Sequence, residues 1–400
     1  MRVTTSNTFE RGIDTLQRRA SEMAEAQQRL ISGKKIARAS DDPAAAAQVE
    51  RALVREARAD TNQRALEASR NSMLQAESAL GDVTTVLQMA RELVVQAGNP
   101  SLDDASRRQL GASLLGMREQ ILQIANRGDG AGGWLFGAQG AAAPPFIDAP
   151  GGVQFRGTPG QLQVPSDGAL PLTADGDAAF LRAATGNGVF VTQAAAANGP
   201  GAWIDAGTVA DPSALTGDPY QIVFDIDPAS GATTYAVLRD GAPTAITAEP
   251  YETGKAIQFD GMSVTISGQP AAGDLFELQP SSRELSLFDG LGRLADELAR
   301  PLRSGAQRTQ VVQEGLRDLD AMMSNVIGER ARLGEVLRRT DATEQRIADS
   351  RLLAQTERSG AEDVDMVQAV SEFSTRQTSY DAALKAYAMV QKLSLFDYIR

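Results

Sequence analysis

Histidine and cysteine are both absent from the 400 residues. Their absence removes Ser-His-Asp and Cys-His nucleophiles, disulfides and Cys/His zinc sites, which leaves an enzyme only carboxylate, lysine or tyrosine chemistry. Aromatic residues make up 5% of the chain, a content that suits long helical packing better than a large globular core. No apolar run approaches the ~20 residues that span a bilayer. The opening MRVTTSNTFERGID lacks an apolar stretch, so neither a Sec-type signal peptide nor membrane insertion is expected. Positive charge is in deficit as well, and a formal net charge of −12 argues against nucleic acid as partner. No catalytic residue, metal ligand or cofactor is expected.

What the chain does contain is heptads. Near the end, Met366, Val370, Phe373, Gln377, Tyr380, Leu384, Tyr387, Gln391 and Ser394 follow alternating steps of four and three residues, which draws one narrow seam on a helix. Near the start, Phe9, Ile13, Leu16, Ala20, Met23, Gln27 and Leu30 repeat the spacing. The two ends are therefore expected to pair. The first helix should end at Ser32 with Gly33 in a left-handed turn, and Asp41, Asp42 and Pro43 restart the chain with an acidic cap and a first-turn proline. Gly33, Asp41, Asp42 and Pro43 read as an interdomain joint, and Gly360 offers a second one before the terminal helix.

A second helix runs to Gly98 with Leu66, Met73, Leu80, Leu87 and Val94 on one seam row and Ser69, Ala76, Val83, Ala90 and Ala97 on the other. A third should start at Ser101, with Asp104 completing a capping-box spacing, and lie antiparallel to the second. After Asn126 the helical period disappears, and short runs such as YQIVFDI, TTYAVLR and MSVTI alternate with turn residues. Residues 136–283 hold 15 acidic and 5 basic side chains, so this stretch carries −10 of the net charge. Helical pattern returns at Leu285 and, from Ser304, continues in a long helix.

The expected fold is mainly α with a β-rich insert. Long N- and C-terminal helices form an antiparallel coiled-coil bundle and the central β domain projects outward. Three parts follow: residues 1–42 with 362–400 as a terminal coiled-coil domain, 43–135 with 284–361 as a helical bundle, and 136–283 as the acidic insert. Gly128, Gly130, Gly132 and Gly133 follow a helix instead of joining strand to helix, so a flexible turn is favoured over a phosphate loop. Asp225 and Asp227 could seed a calcium turn, but a strand end and turn is favoured.

The segment L-I-S-G-K-K-I-x-x-x-S-D-D-P from Leu30 to Pro43, ARELVVQAGN from Ala90 to Asn99, DGMSVTISGQPAAGDLFEL and the ending LSLFDYIR, which contains Phe396, resemble the flagellin superfamily. The resemblance covers both helical ends and, in the insert, mainly its last strands. It implies a structural subunit of the bacterial flagellum at the hook–filament junction, exported unfolded through the flagellar type III channel without a cleavable signal peptide, and located outside the cell. Implied partners are further copies of itself, hook-associated protein 1, flagellin and an export chaperone. The assembly seam would then comprise Phe9, Ile13, Leu16, Met23, Leu30, Val370, Phe373, Tyr380, Leu384, Tyr387 and Phe396. Met89 stands where filament flagellins carry an arginine. Filament flagellin, and a secreted adhesin or enzyme acting through the acidic insert, are the alternatives.

Overall fold

The computed structural model describes residues 5–36, 38–130, 132–137, 143–157, 161–164, 168–171, 173–228 and 230–397. Its helices are α1 (Thr5–Ser32), α2 (Pro43–Ala97), α3 (Asp104–Ala125), α4 (Gly176–Phe180), α5 (Leu287–Ala299), α6 (Gly305–Glu362) and α7 (Met366–Asp397). Among the described residues the strands lie between α3 and α5, so the mainly helical fold with a β-rich insert is the one observed. Two compact units result: Met1–Arg64 with Ala342–Arg400, and Ala65–Asp341.

The helix boundaries have local causes. Asp42 Oδ1 accepts from the amides of Ala44 and Ala45, both at 3.0 Å, which caps α2 ahead of Pro43. Ser304 Oγ accepts from Gln307 N at 3.1 Å while Gln307 Oε1 accepts from Ser304 N at 3.0 Å, a reciprocal capping box for α6. The expected cap at Ser101 is corrected: Asp103 caps α3 by accepting from Ser106 N at 2.8 Å, and Ser101 instead donates to Asn99 Oδ1. The aspartate wins because it sits one residue before the first helical position, whereas Ser101 lies inside the turn.

In the larger unit, the buried positions of α2 fall every seven residues at Leu66, Met73, Leu80, Leu87 and Val94, with Ser69, Ala76, Val83, Ala90 and Ala97 buried on the second row. The expected seam is thus a buried one. On α6 the rows are Val312, Leu319, Val326, Leu333 and Thr340, also seven apart. Ion pairs Arg91–Asp320 (2.8 Å), Arg330–Glu77 (2.6 Å) and Arg70–Asp341 (3.1 Å) climb α2 as they descend α6, which makes the two antiparallel. Such exposed pairs set register more than stability. Helix α3 packs on α5 at closest range at Gly111, where an added Cβ would stand 2.7 Å from the Ala295 carbonyl oxygen.

The helical core takes in part of the segment before the sheets. Phe136, Phe146 and Phe180 are buried with Phe288 of α5, and the Phe136 and Phe180 rings meet edge-on at 5.0 Å. Hairpin strands β1 (Phe146–Ala149) and β2 (Gly152–Phe155) belong to this cluster, and a second hairpin follows in β3 (Gln161–Val164) and β4 (Gly168–Pro171). A separate core lies between two antiparallel sheets. One runs β10 (Ala242–Pro243), β9 (Thr233–Arg239), β8 (Tyr220–Ile226), β14 (Leu275–Pro280), β5 (Phe190–Ala194), with β11 (Glu249–Pro250) also on β9. The other runs β12 (Ala256–Phe259), β13 (Met262–Gly268), β6 (Ala202–Ile204), with β7 (Thr208–Val209) on β13. Period-two alternation turns Tyr220, Ile222 and Phe224 of β8 inward against Phe276 and Leu278 of β14. The sheets are anchored to α6 where Gln310 Oε1 accepts from Ile204 N (2.8 Å) and Arg317 donates to the Thr192 carbonyl (2.8 Å).

Candidate assembly surface

The smaller unit holds both chain ends. Helices α1 and α7 pair antiparallel: Gly12 of α1 lets the Tyr387 ring of α7 approach, and Arg376 donates to the Glu22 carbonyl at 3.4 Å. The heptad seam divides between two faces. On α1, Leu16, Met23 and Leu30, seven apart, are half-buried, and on α7 so are Phe373, Tyr380 and Tyr387, also seven apart. The other rows face away. Ile13 is 37% exposed, and Val370 and Leu384 are 52% and 40% exposed, with Gln27 and Gln377 exposed between them. Phe9 and Phe396 lie on these helices, with side chains outside the described residues.

Between the paired helices the only small residues fully sequestered are Ala26 and Ala369 among those described. The pair therefore buries little apolar surface by itself, and two helices held so loosely are marginal in water. Further apolar side chains stand exposed close by in sequence, including Ile31, Val54, Leu352, Leu353 and Val367.

The turn after α1 and the segment before α7 face each other. Gly33 takes φ +70°, a left-handed conformation that glycine adopts at no steric cost, and its amide closes α1 on the Arg29 carbonyl at 2.9 Å. Lys34 and Asp363 then form an antiparallel bridge, with Lys35 N donating to Glu362 O (2.8 Å) and Val364 N donating to Gly33 O (2.9 Å). The Lys34 ammonium pairs with Glu362, and Lys35 Nζ donates to the Gly360 carbonyl at 2.8 Å. Asp41 Oδ2 accepts from Arg38 N at 2.9 Å, which tightens the turn before Asp42 and Pro43. Gly360 is a correction: α6 passes through it and ends at Glu362, and Asp365 caps α7 by accepting from Val367 N at 2.9 Å. The break needs a capping side chain and an exposed backbone edge, which 363–365 supply and Gly360 does not.

Chemistry finds no comparable centre among the described residues, where no group of three acidic side chains could hold a metal ion. Asp227 closes a turn, accepting from Ser230 Oγ at 2.8 Å, while Asp225 stays in β8. The glycines after α3 form a turn in which Asp129 N donates to Gly133 O and Gly133 N donates back to Asp129 Oδ1. Perturbed groups serve packing: the Arg118 guanidinium, hydrogen-bonded to Asp148, holds that carboxyl below its usual range, and burial pushes Glu314 up. Among the described residues, no helix is long and apolar enough to cross a membrane.

Comparison with known proteins agrees with this geometry. Residues 8–140 match the bacterial flagellin N-terminal helical region, 316–399 match the flagellin C-terminal helical region, and 193–280 match the D2-like domain of flagellar hook-associated protein 1. The chain belongs to the flagellin superfamily. Within it, flagellar hook-associated protein 3 of Salmonella typhimurium is 35% identical over 155 residues, 38% of this chain. The chain spans about half, 48%, of the length of that relative. The flagellar junction protein FlgL of Legionella pneumophila superposes with a TM-score of 0.66 at 25% identity, covering 74% of this chain and 99% of that one. Flagellin of Listeria monocytogenes is 36% identical over 110 residues, covering 26% of this chain and 36% of its own.

Proposed function

We propose that the chain is a structural subunit of the bacterial flagellum, a hook-associated protein 3 that joins hook and filament. The observation that carries this reading is the second row on each terminal helix, Ile13 on α1 and Val370 and Leu384 on α7, left exposed after the two helices have paired. A seam of that kind needs lateral neighbours, and repeated copies around a tube supply them. In this reading residues 1–42 with 362–400 form the inner layer, 43–135 with 284–361 the surrounding shell, and 136–283 the outward domain. The partners are further copies, hook-associated protein 1 below, flagellin above, and an export chaperone before assembly. The protein works outside the cell and catalyses nothing. A role as filament flagellin is the second reading, favoured by the Listeria match and disfavoured by the hook-associated D2-like match over 193–280.

Leu384→Asp tests the seam. A carboxylate at this exposed position leaves the monomer intact, but once neighbours cover it an uncompensated charge costs about 3–5 kcal/mol per subunit. The expected phenotype is a normal monomer melting curve, normal export, and flagellin shed into the medium. Normal filaments in the variant strain, or a monomer that melts early, would contradict the seam.

A further inference from the structure

Where the first turn of α3, the last turn of α5 and the first turn of α6 come together, the larger unit has a cleft of about 10 Å³ lined by Arg107, Arg300, Arg303 and Arg308. Glu297 is the one carboxylate in its wall, and Ala97, Leu298, Val311 and Val312 complete it. Arg107 is 5% exposed. Its Nη2 donates to Asp104 Oδ1 at 2.8 Å, whereas Nη1 is buried without a hydrogen-bond partner among the described residues. A charged donor shut away from water and left unpaired is costly, so an acceptor belongs beside it.

The carboxylates nearby are already spent. Glu297 is shared by Arg300, at 3.0 Å, and Arg303. Asp104 accepts from Arg107 on one oxygen and from Leu302 N at 3.2 Å on the other, and these hydrogen bonds, with a smaller contribution from Arg308, hold its carboxyl below the usual range. Asp103 is taken up in capping α3 through Ser106 N. The Arg308 side chain forms no ion pair among the described residues. After these pairings four guanidiniums face three carboxylates, so one positive charge is left over, and Arg107 Nη1 is the donor left without an acceptor.

A water filling this space would bring two hydrogens that need acceptors into a wall of donors, whereas an anion brings only acceptor capacity. Arg107 and Arg308 are each the fourth residue of a helix, where the first turn favours negative charge. The size is set by the cleft. Some 10 Å³ holds one water-sized body, so a halide ion fits and a sulfate or phosphate group does not.

We propose that this cleft binds one chloride ion, held by Arg107 Nη1, with Arg308 supplying the balancing charge. The ion ties the start of α3 to the start of α6, at the end of the bundle where Ser304 Oγ donates to the Pro200 carbonyl of the sheet domain at 2.7 Å. Chloride therefore steadies this end of the larger unit. The site is independent of the reading of the chain as a flagellar subunit.

Chloride-35 magnetic resonance on the full-length chain tests it in solution. At constant ionic strength the protein should broaden the chloride line, bromide should reverse the broadening, and sulfate should not. Arg308→Gln should weaken binding roughly tenfold and Arg107→Met should abolish it, while Arg64→Gln on the surface of α2 should change nothing. Melting curves show whether the buried Arg107→Met variant folds; if it does not, Arg308→Gln and a crystal soaked in bromide decide. The crystal should show an anomalous peak within hydrogen-bond range of Arg107 Nη1. Broadening that sulfate reverses equally, or that survives in Arg308→Gln, overturns the proposal. So does a water at Nη1 with no anomalous signal, and so does a bromide peak without broadening in solution, which is binding at crystal concentration only.

Discussion

Two glycines on one helix carry opposite expectations. In α3, Gly111 faces α5 so closely that a methyl group would meet the Ala295 carbonyl oxygen at 2.7 Å, whereas Gly116 has open space around its Cβ position. Gly116→Ala should stabilise the protein by about 0.5–1 kcal/mol through helix propensity alone. Gly111→Ala gains the same propensity but must push two helices apart at a cost of about 1–3 kcal/mol, so the net effect is destabilising. Urea unfolding of both variants checks the difference in sign. Nothing in sequence separates these glycines, because the contact that distinguishes them comes from a helix more than 170 residues away.

Glu314 is a second residue whose role depends on packing. Burial raises its pKa, opposed by the hydrogen bond from Gln310 and by Arg317. The folded state thus holds this proton more tightly than the unfolded chain does. Its contribution to stability is fullest below the ordinary carboxyl value, about 4.3, and is lost as pH rises through the raised folded value. Glu314→Gln, which can keep the Gln310 hydrogen bond, should therefore raise the urea midpoint at pH 7. At a pH below the ordinary carboxyl range the variant and the parent should coincide.

Among the elements, the long heptads were the most legible, and the reason is periodicity. The seven-residue rows of α2 from Leu66 to Val94 are all buried. The same rows continue in the smaller unit as Ala52 and Ala59 on α2 and Ile347, Ala354 and Ala361 on α6. These were hard to read because alanine marks a seam no more than it marks any helix face. The terminal seam illustrates the limit of spacing: steps of four and three select Phe373 and Val370 alike, and only the partner helix decides that the first turns in and the second out. The turn from Gly33 to Pro43 was legible because glycine, aspartate and proline act through local geometry, whereas Gly360 lies within α6, where helical context absorbs it.

The insert has a legible beginning in composition and a different one in packing. Phe136, Phe146 and Phe180 share the core of the helices, while the sheet core starts at Phe190 and ends at Leu278. Between them the chain crosses a narrow neck, where Ala183 pairs with Leu285 and Thr185 N donates to Ser282 O at 2.9 Å. Replacing 187–280 with a short linker should leave the helices folded, with far-ultraviolet dichroism and melting close to the parent after allowance for lost strands. Replacing 137–279 removes Phe146 and Phe180 from around Phe288 and should lower helical stability by roughly 3–5 kcal/mol or more. Equal stability of the two deletions would show that the aromatic cluster is not part of the helical core.

At the scale of the whole molecule, exposed seam rows at both chain ends and an acidic sheet domain are what the proposed role, a subunit covered by its neighbours, would use. The charge distribution agrees: outside 136–283 the chain holds 34 basic and 36 acidic residues, near balance, so copies can pack side by side without strong repulsion. That balance was countable in the composition. What composition could not supply is position along the flagellum, because a filament subunit and a junction subunit share the same helical ends. The most direct test is therefore to place a small tag in the β9–β10 turn at Asp240 and locate it by gold labelling on intact flagella. A single compact cluster at the boundary between the curved hook and the filament is the predicted result, and label distributed along the filament, or none on the flagellum, would contradict the account.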